Sequence, residues 1–283
     1  MPFAFPSLID IFSFFQQALF IPAPSWSVDK MPDMTGKVVI VTGGSAGIGK
    51  LTVKALLEKN ATVYLAARDQ QKSQTVIDEY TRLTGRTATF LKLDLADLHS
   101  VEAAAREFSR SKRPNFMYYT ITGKAVMMTP KNQFSPQGYD LQFATNVLGH
   151  FYLTKLLLPT LLSTAQYASD KVRVITVSSC AQYIMKYKFD VGSFIDGPIR
   201  QKQGPMDLYS QSKFGNILFA NELARRYGEK GMVSISLNPG MLLLTVVFVS
   251  DSVKSRKYKK YWAEAIHRGR FSLDYGFVSI ADI

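Results

Sequence analysis

The apolar run from Lys37 to Thr42 stops at Gly43-Gly44-Ser45-Ala46-Gly47-Ile48-Gly49, and this strand-to-glycine junction constrains the fold more than any other feature. An unbroken apolar run of this length suits a strand buried on both faces of a parallel sheet. Gly43 permits a tight turn, and Gly47 lets backbone approach a pyrophosphate. Gly49 lets a helix that begins near Gly47 pack closely on the strand. The free N–H groups and positive end of such a helix favour an anion. A lone glycine-rich turn is common at strand-to-helix junctions, but this setting favours a dinucleotide over a purely structural turn.

The same alternation continues along the chain. Strands are expected at 62–66, 87–93, 116–121 (the weakest), 172–178 and 233–237, and helices at 70–83, 98–109, 139–162 and 208–227. Such βαβ repetition predicts an α/β protein. Right-handed crossovers then place helices on both faces of a single-domain, doubly wound Rossmann fold with a parallel sheet, and ligands at the carboxyl ends of its strands. A length of 283 residues, with 47% apolar and 20% charged, is compatible with one large globular domain. That domain is expected over 35–283, preceded at 1–34 by an apolar segment and linker.

Tyr209 and Lys213 lie four residues apart and so share one face of the helix expected over 208–227. A free tyrosine, with a pKa near ~10, is a poor base at neutral pH. An ammonium about 4 Å from the phenolate contributes roughly 4 kcal/mol at an effective dielectric near 20, about three pKa units, which would bring the tyrosine into catalytic range. Alone, a Tyr-x-x-x-Lys pair is usually just a helix surface. Ser179 ends a strand of the same sheet, and Asn146 is an amide among apolar neighbours in a long helix; their joint placement favours a catalytic group.

The second strand ends Ala66-Ala67-Arg68. A carboxylate at that point would bond an adenosine ribose, whereas a cation accommodates a 2′-phosphate. Ala67 stands where the acid should be and Arg68 follows, so NADP(H) is preferred over NAD(H). Asp69 falls too late to point at the ribose. Asp94, after the third strand, either accepts from an adenine amino group or caps the following turn.

Together these residues resemble the short-chain dehydrogenase/reductase family, and specifically its retinol-dehydrogenase-like branch, over roughly residues 34 to 245. Thr42 to Gly49 is similar to the family's TGxxxGIG turn, Asn146 in Thr145-Asn146-Val147-Leu148-Gly149-His150 to its helix asparagine, and Ser179 to its serine. Tyr209 and Lys213 match YxxxK, and Asn238-Pro239-Gly240 resembles the Pro-Gly turn beside the nicotinamide. The resemblance implies catalysis by Asn146, Ser179, Tyr209 and Lys213. It implies a cofactor site of Gly43, Ser45, Gly47, Ile48, Gly49, Arg68, Asp94, Leu95, Asn146, Tyr209, Lys213, Pro239 and Gly240, and no metal. Tyr209 would exchange a proton with the substrate oxygen, Lys213 would lower its pKa and hold the nicotinamide ribose, and Ser179 would polarise the carbonyl. Asn146 would help hold a water-linked proton path. The reaction implied is hydride exchange between NADP(H) and a small, lipophilic carbonyl or alcohol, in a homodimer paired through long helices.

Three departures from the family pattern stand out. Tyr118-Tyr119-Thr120-Ile121-Thr122-Gly123-Lys124-Ala125 replaces the Asn-Asn-Ala-Gly that follows the fourth strand, which bears on cofactor affinity. Thr245 stands one residue late after Gly240. Only 38 residues follow Thr245, short for a substrate lid, with 276–281 available as a last strand. They motivate an alternative of another class: a catalytically impaired nucleotide-binding or membrane-surface protein of the same fold.

Leu8, Ile9, Ile11, Phe12, Phe14, Phe15, Ala18, Leu19 and Phe20 form an apolar arc interrupted by Asp10, Ser13 and Gln17. The stretch is too short to span a bilayer and lacks the basic start of a secretory signal. It fits either a helix lying in a membrane interface or one packing on the main domain. The net charge of +12 fits a solvated basic surface or anionic lipid. The densest basic run, 254–270, interleaves Tyr258, Tyr261 and Trp262 and resembles a membrane-interface helix. No nucleic-acid-binding module accompanies the charge. The single Cys180 cannot form an internal disulfide, which fits a reducing compartment. A cytoplasmic location is expected, with peripheral contact to an intracellular membrane through 1–22 and 254–270.

Overall fold

The computed structural model describes residues 7–18, 26–110, 119–122, 127–167, 171–185 and 189–240. Six parallel strands, β1 (Val38–Thr42), β2 (Thr62–Ala67), β3 (Thr89–Lys92), β4 (Tyr119–Thr122), β5 (Val172–Val177) and β6 (Met232–Leu237), form one sheet in the order β3-β2-β1-β4-β5-β6. That order is the doubly wound dinucleotide-binding arrangement, reversing direction between β1 and β4. All five burial positions of β1 are closed, as its unbroken Val38-Val39-Ile40-Val41-Thr42 run requires of a central strand.

Alternate residues of β1 divide the core. Val39 and Val41 join Val53, Leu56 and Leu57 of α2 (Gly47–Glu58) with Val76, Ile77 and Tyr80 of α3 (Gln70–Thr84). Val38 and Ile40 face the other way, toward Val101 and Phe108 of α4 (Leu98–Arg110) and Leu153, Leu157 and Leu161 of α6 (Gly149–Tyr167). Met31 and Met34 complete the first of these clusters, with Trp26 packed against it, so residues 26–34 lie along the α2 and α3 face.

Two elements differ from their sequence-based bounds in ways that matter. The periodicity predicts one uninterrupted helix over 139–162. Instead, Asp140 caps a short α5 (Leu141–Phe143) by accepting from the Phe143 amide at 2.9 Å, a π segment follows at Ala144–Leu148, and α6 runs on to Tyr167. The helix expected from Leu208 begins three residues earlier as α8 (Pro205–Tyr227), after a short α7 (Pro198–Gln201), because Gly204 and Pro205 supply an N-cap and first-turn pair.

The N-terminal arc forms α1 (Leu8–Ala18), with its apolar side turned outward. Leu8, Ile9, Phe12 and Phe15 are 85%, 76%, 69% and 45% exposed, while Ser13, Phe14 and Gln17 are half-buried and Ala18 is buried. Among the described residues no helix is long and apolar enough to cross a membrane. Leu19, Phe20, the replacement loop at 123–125, Met241 to Thr245, the basic run 254–270 and the strand expected at 276–281 lie outside the described residues.

Candidate active site

The chain leaves β1 at Thr42 and turns through Gly43, whose φ of 69° favours glycine and whose amide donates to the Ala66 carbonyl at 2.8 Å. Ala46, at the N-cap of α2, offers no side chain to the first-turn amides, leaving them to an external acceptor. Ser45 and Ile48 are half-buried and Gly47 is exposed, so the turn is open to a ligand. A Cβ on Gly49 would stand 2.5 Å from the Gly43 carbonyl oxygen. The contact that demands glycine there is thus with the Gly43-Gly44 turn, not with the strand. Gly44, which the sequence spacing passes over, is held as tightly: its Cβ would meet Leu65 Cγ at 2.8 Å and Val53 Cγ2 at 3.1 Å.

Past the end of β2, Arg68 is exposed and its carbonyl accepts from the Lys92 ammonium. Asp69 Oδ1 accepts from the Lys72 amide at 2.9 Å and so caps α3. Asp94 Oδ1 accepts from the Ala96 amide at 3.1 Å, the turn-capping alternative of the two read from sequence. Leu95 is buried in the core and its carbonyl oxygen abuts Gly149, so the side chain points away from any ligand and only backbone is on offer.

Asn146 sits in the π segment, 1% exposed. Such one-turn widenings recur at functional sites because they displace a side chain without breaking the helix. The Asn146 amide donates to Ser212 Oγ of α8 at 3.0 Å, and Ser212 in turn donates to the Tyr209 carbonyl at 2.7 Å. His150 Nδ1 lies 3.2 Å from the Asn146 carbonyl oxygen, and Nε2 lies 3.0 Å from Thr42 Oγ1. Asparagine, turn and α8 are therefore joined through buried hydrogen bonds. Neither Ser212 nor His150 carries a spacing signal of its own, although both lie inside the quoted motifs.

Ser179 follows β5 and caps the 3-10 helix Cys180–Ile184, its hydroxyl accepting from the Ala181 amide at 3.2 Å. The same hydroxyl acts on the phenol of Tyr209, favouring its ionised form. Tyr209 is 8% exposed and Lys213 2%. Lys213 Nζ donates to the Val177 carbonyl at 2.8 Å, and Ser178 Oγ donates to the Lys213 carbonyl at 2.8 Å, so Lys213 is tied twice to the end of β5.

The electrostatics overturn one expectation. Burial pushes the Tyr209 phenol above its ordinary value, opposed by the Ser179 hydrogen bond, and burial lowers Lys213 to about 7. The phenol is not drawn down by its neighbour: desolvation is the largest influence on it, and the lysine one turn on is itself half-discharged at neutral pH. Unaided, the pair keeps a protonated phenol at pH 7.

The segment between Ser179 and Tyr209 is anchored by buried amides. Gln211 accepts from the Asp190 amide at 3.0 Å and donates to Gln203, which donates to Ser193 Oγ at 2.6 Å. Beyond β6, Asn238 Oδ1 accepts from the Gly240 amide at 3.3 Å across Pro239, with Gly240 at φ 76°.

Residues 37–189 match the short chain dehydrogenase family. A short-chain dehydrogenase/reductase of Armillaria gallica is 51% identical over 224 residues, covering 79% of this chain and 71% of its own. Human retinol dehydrogenase 11 is 37% identical over 208 residues, 73% of this chain and 61% of its own. Among solved structures, an uncharacterised protein from Mycobacterium paratuberculosis aligns with TM-score 0.62 and 31% identity, over 77% of this chain and 73% of that one. The Pseudomonas aeruginosa RhlG/NADP complex aligns with TM-score 0.57 over 74% and 73%; at 21% identity it speaks to the fold alone. This chain belongs to the short-chain dehydrogenase/reductase family, oxidoreductases that bind NAD(P) and act on small carbonyl and alcohol substrates, and has retinol-dehydrogenase-like relatives.

Proposed function

We propose that the chain is an NADP(H)-dependent oxidoreductase that interconverts a carbonyl and an alcohol on a small lipophilic substrate. The observation that carries this reading is the meeting of three groups: the Tyr209 phenol buried on α8, Lys213 Nζ 5.7 Å from the centre of its ring, and the Ser179 hydroxyl past β5 acting on the phenol.

The residues fit a dinucleotide. The uncapped amides of α2 suit a pyrophosphate held by Gly43, Ser45, Gly47, Ile48 and Gly49, and the exposed Arg68 suits a 2′-phosphate beside Asp69, which caps α3. Asp94 and the Leu95 backbone would flank the adenine side; Asn146, Tyr209, Lys213, Pro239 and Gly240 would flank the nicotinamide side. When bound, the cofactor supplies or receives the hydride. In reduction, Tyr209 Oη donates its proton to the oxygen that gains charge. Ser179, which accepts from the Ala181 amide, turns its own proton toward that oxygen. Asn146 steadies the Tyr209 backbone through Ser212. A phenol raised by burial is matched to the acid role, hence to reduction at neutral pH. A lipophilic substrate is supported by the retinol dehydrogenase among the relatives.

The test is carbonyl-dependent NADPH oxidation over lipophilic aldehydes and ketones, comparing wild type with Tyr209→Phe. Loss of at least a hundredfold in the variant is expected; equal rates in both refute the reading.

The outward apolar face of α1 supports a second, compatible proposal, peripheral contact with a lipid surface. Liposome binding that survives replacement of Leu8, Ile9, Phe12 and Phe15 by serine would remove α1 from it.

A further inference from the structure

We propose that Gln17 is a positioning residue, clamping the turn after β6 to the segment after β5; its catalytic consequence rests on the nicotinamide-side role proposed for that turn. The inner edge of α1 is where the helix meets the domain, and its amide side chain is used at both ends. Gln17 Nε2 donates to the Tyr183 hydroxyl at 3.0 Å, and Gln17 Oε1 accepts from Asn238 Nδ2 at 3.3 Å. Asn238 passes the constraint on, because its other end accepts from the Gly240 amide. One side chain thus joins loops that are 166 and 221 residues away in sequence.

The two loops are the continuations of paired strands. Val177 of β5 stands opposite Leu237 of β6, and beyond that pair the Ser178 amide still donates to the Leu237 carbonyl at 2.7 Å. After it the chains separate, one into Cys180–Ile184 beside Ser179 and the other into Asn238-Pro239-Gly240. Pro239 has no amide to extend the ladder. A cross-link from outside the sheet then fixes their separation, and the Gln17 amide makes it by donating to a tyrosine hydroxyl and accepting from an asparagine amide. α1 therefore reaches the candidate site through a polar residue while Leu8, Ile9, Phe12 and Phe15 face away.

Three variants test the clamp: Gln17→Leu, which loses both bonds, Gln17→Glu, which can accept from the Tyr183 hydroxyl and the Asn238 amide, and Tyr183→Phe, which cuts one arm. Two readouts are taken, the KM for NADPH against kcat, and hydrogen–deuterium exchange of the peptide spanning 238–240 without nucleotide. Gln17→Leu should raise KM about three- to tenfold, the scale of one or two net hydrogen bonds, with kcat within twofold, and should speed exchange. Gln17→Glu should stay within twofold of wild type, and Tyr183→Phe should fall between. Wild-type KM and exchange in Gln17→Leu, or equal damage in Gln17→Glu and Gln17→Leu, would overturn the clamp. Faster exchange in Gln17→Leu alongside a wild type that neither binds nor oxidises NADPH would uphold the clamp and sink the proposed function alone.

Discussion

Lys213 Nζ stands 5.7 Å from the centre of the Tyr209 ring, yet its hydrogen bond goes to the Val177 carbonyl rather than toward the phenol. In this burial the lysine loses its proton at about 7 and the phenol keeps its own beyond its ordinary value. Because kcat/KM reports the free enzyme, that ratio for carbonyl reduction should decline as pH rises through about 7, when the ammonium is lost. Alcohol oxidation, which needs a deprotonated phenol, should instead climb into the alkaline range. A reduction profile flat between pH 6 and 9 would contradict this assignment.

The same burial makes a stability prediction with a definite sign. Folded Lys213 releases its proton near 7, whereas the unfolded chain holds it up to about 10.5. Between those limits the unfolded state binds more protons, so wild-type stability should rise with pH by roughly 1.4 kcal/mol per unit, before other groups are counted. Lys213→Met lacks this term, and the Val177 carbonyl keeps its bond from Asn216 at 3.0 Å. The variant should therefore be more stable than wild type at pH 6, with the advantage fading toward pH 10, as urea unfolding at the two pH values will show. A variant whose stability relative to wild type is lower at pH 6 than at pH 10 would mean that the folded lysine holds its proton more tightly than the unfolded chain does.

What the sequence made legible follows from what each signal encodes. The β1 run and its glycines specify a local event, a strand entering a tight turn, and the structure reproduces it. Strand β3, expected over 87–93, is only Thr89–Lys92, because pairing begins where Tyr64 of β2 meets Thr89, a register that local composition does not record. The π segment was illegible for a related reason: one extra residue in a turn hardly disturbs a 3.6-residue periodicity, yet it sets where Asn146 points. Spacing placed Tyr209 and Lys213 on one face correctly, but their protonation depends on burial, which only the fold reveals. For α1, the pattern separated apolar from polar residues without saying which side would dock.

Gly49→Ala should cost about 1–3 kcal/mol, since its Cβ would press on backbone at 2.5 Å and only a shift of turn or helix relieves it. Gly228→Ala is the control. That position has a φ of −58° and nothing within 4 Å of the added carbon, so it should be neutral or slightly stabilising. Thermal unfolding of both variants decides; equal effects would mean that the turn yields more readily than its geometry suggests.

Arg200 and Asp140 form an ion pair at 2.8 Å with side chains 3% and 1% exposed. Arg200 also donates to the Lys131 carbonyl and covers the Phe134 ring at 4.3 Å, while Asp140 starts α5 just ahead of Asn146. Arg200→Met strands a buried carboxylate and should cost about 3–5 kcal/mol in chemical unfolding. Asp140→Asn keeps a cap acceptor and should cost less. A loss below about 1 kcal/mol in Arg200→Met would show that water reaches the carboxylate.

Arg68 bears on the choice of cofactor. Ala67 has no polar side-chain atom to bond a free ribose, and Asp69 Oδ1 accepts from the Lys72 amide at the start of α3. If a 2′-phosphate is held at this corner, the guanidinium is its charged partner, and a charge-assisted bond of about 1.5–3 kcal/mol corresponds to roughly ten- to a hundredfold in affinity. Arg68→Ala should weaken NADPH by that factor and leave NADH within about threefold, read by fluorescence titration of both nucleotides. Because the side chain is exposed, raising salt should erode the wild-type preference in parallel. Equal weakening of both nucleotides would relocate Arg68 to the shared pyrophosphate, and a wild type that binds NADH more tightly would remove the 2′-phosphate from this corner altogether.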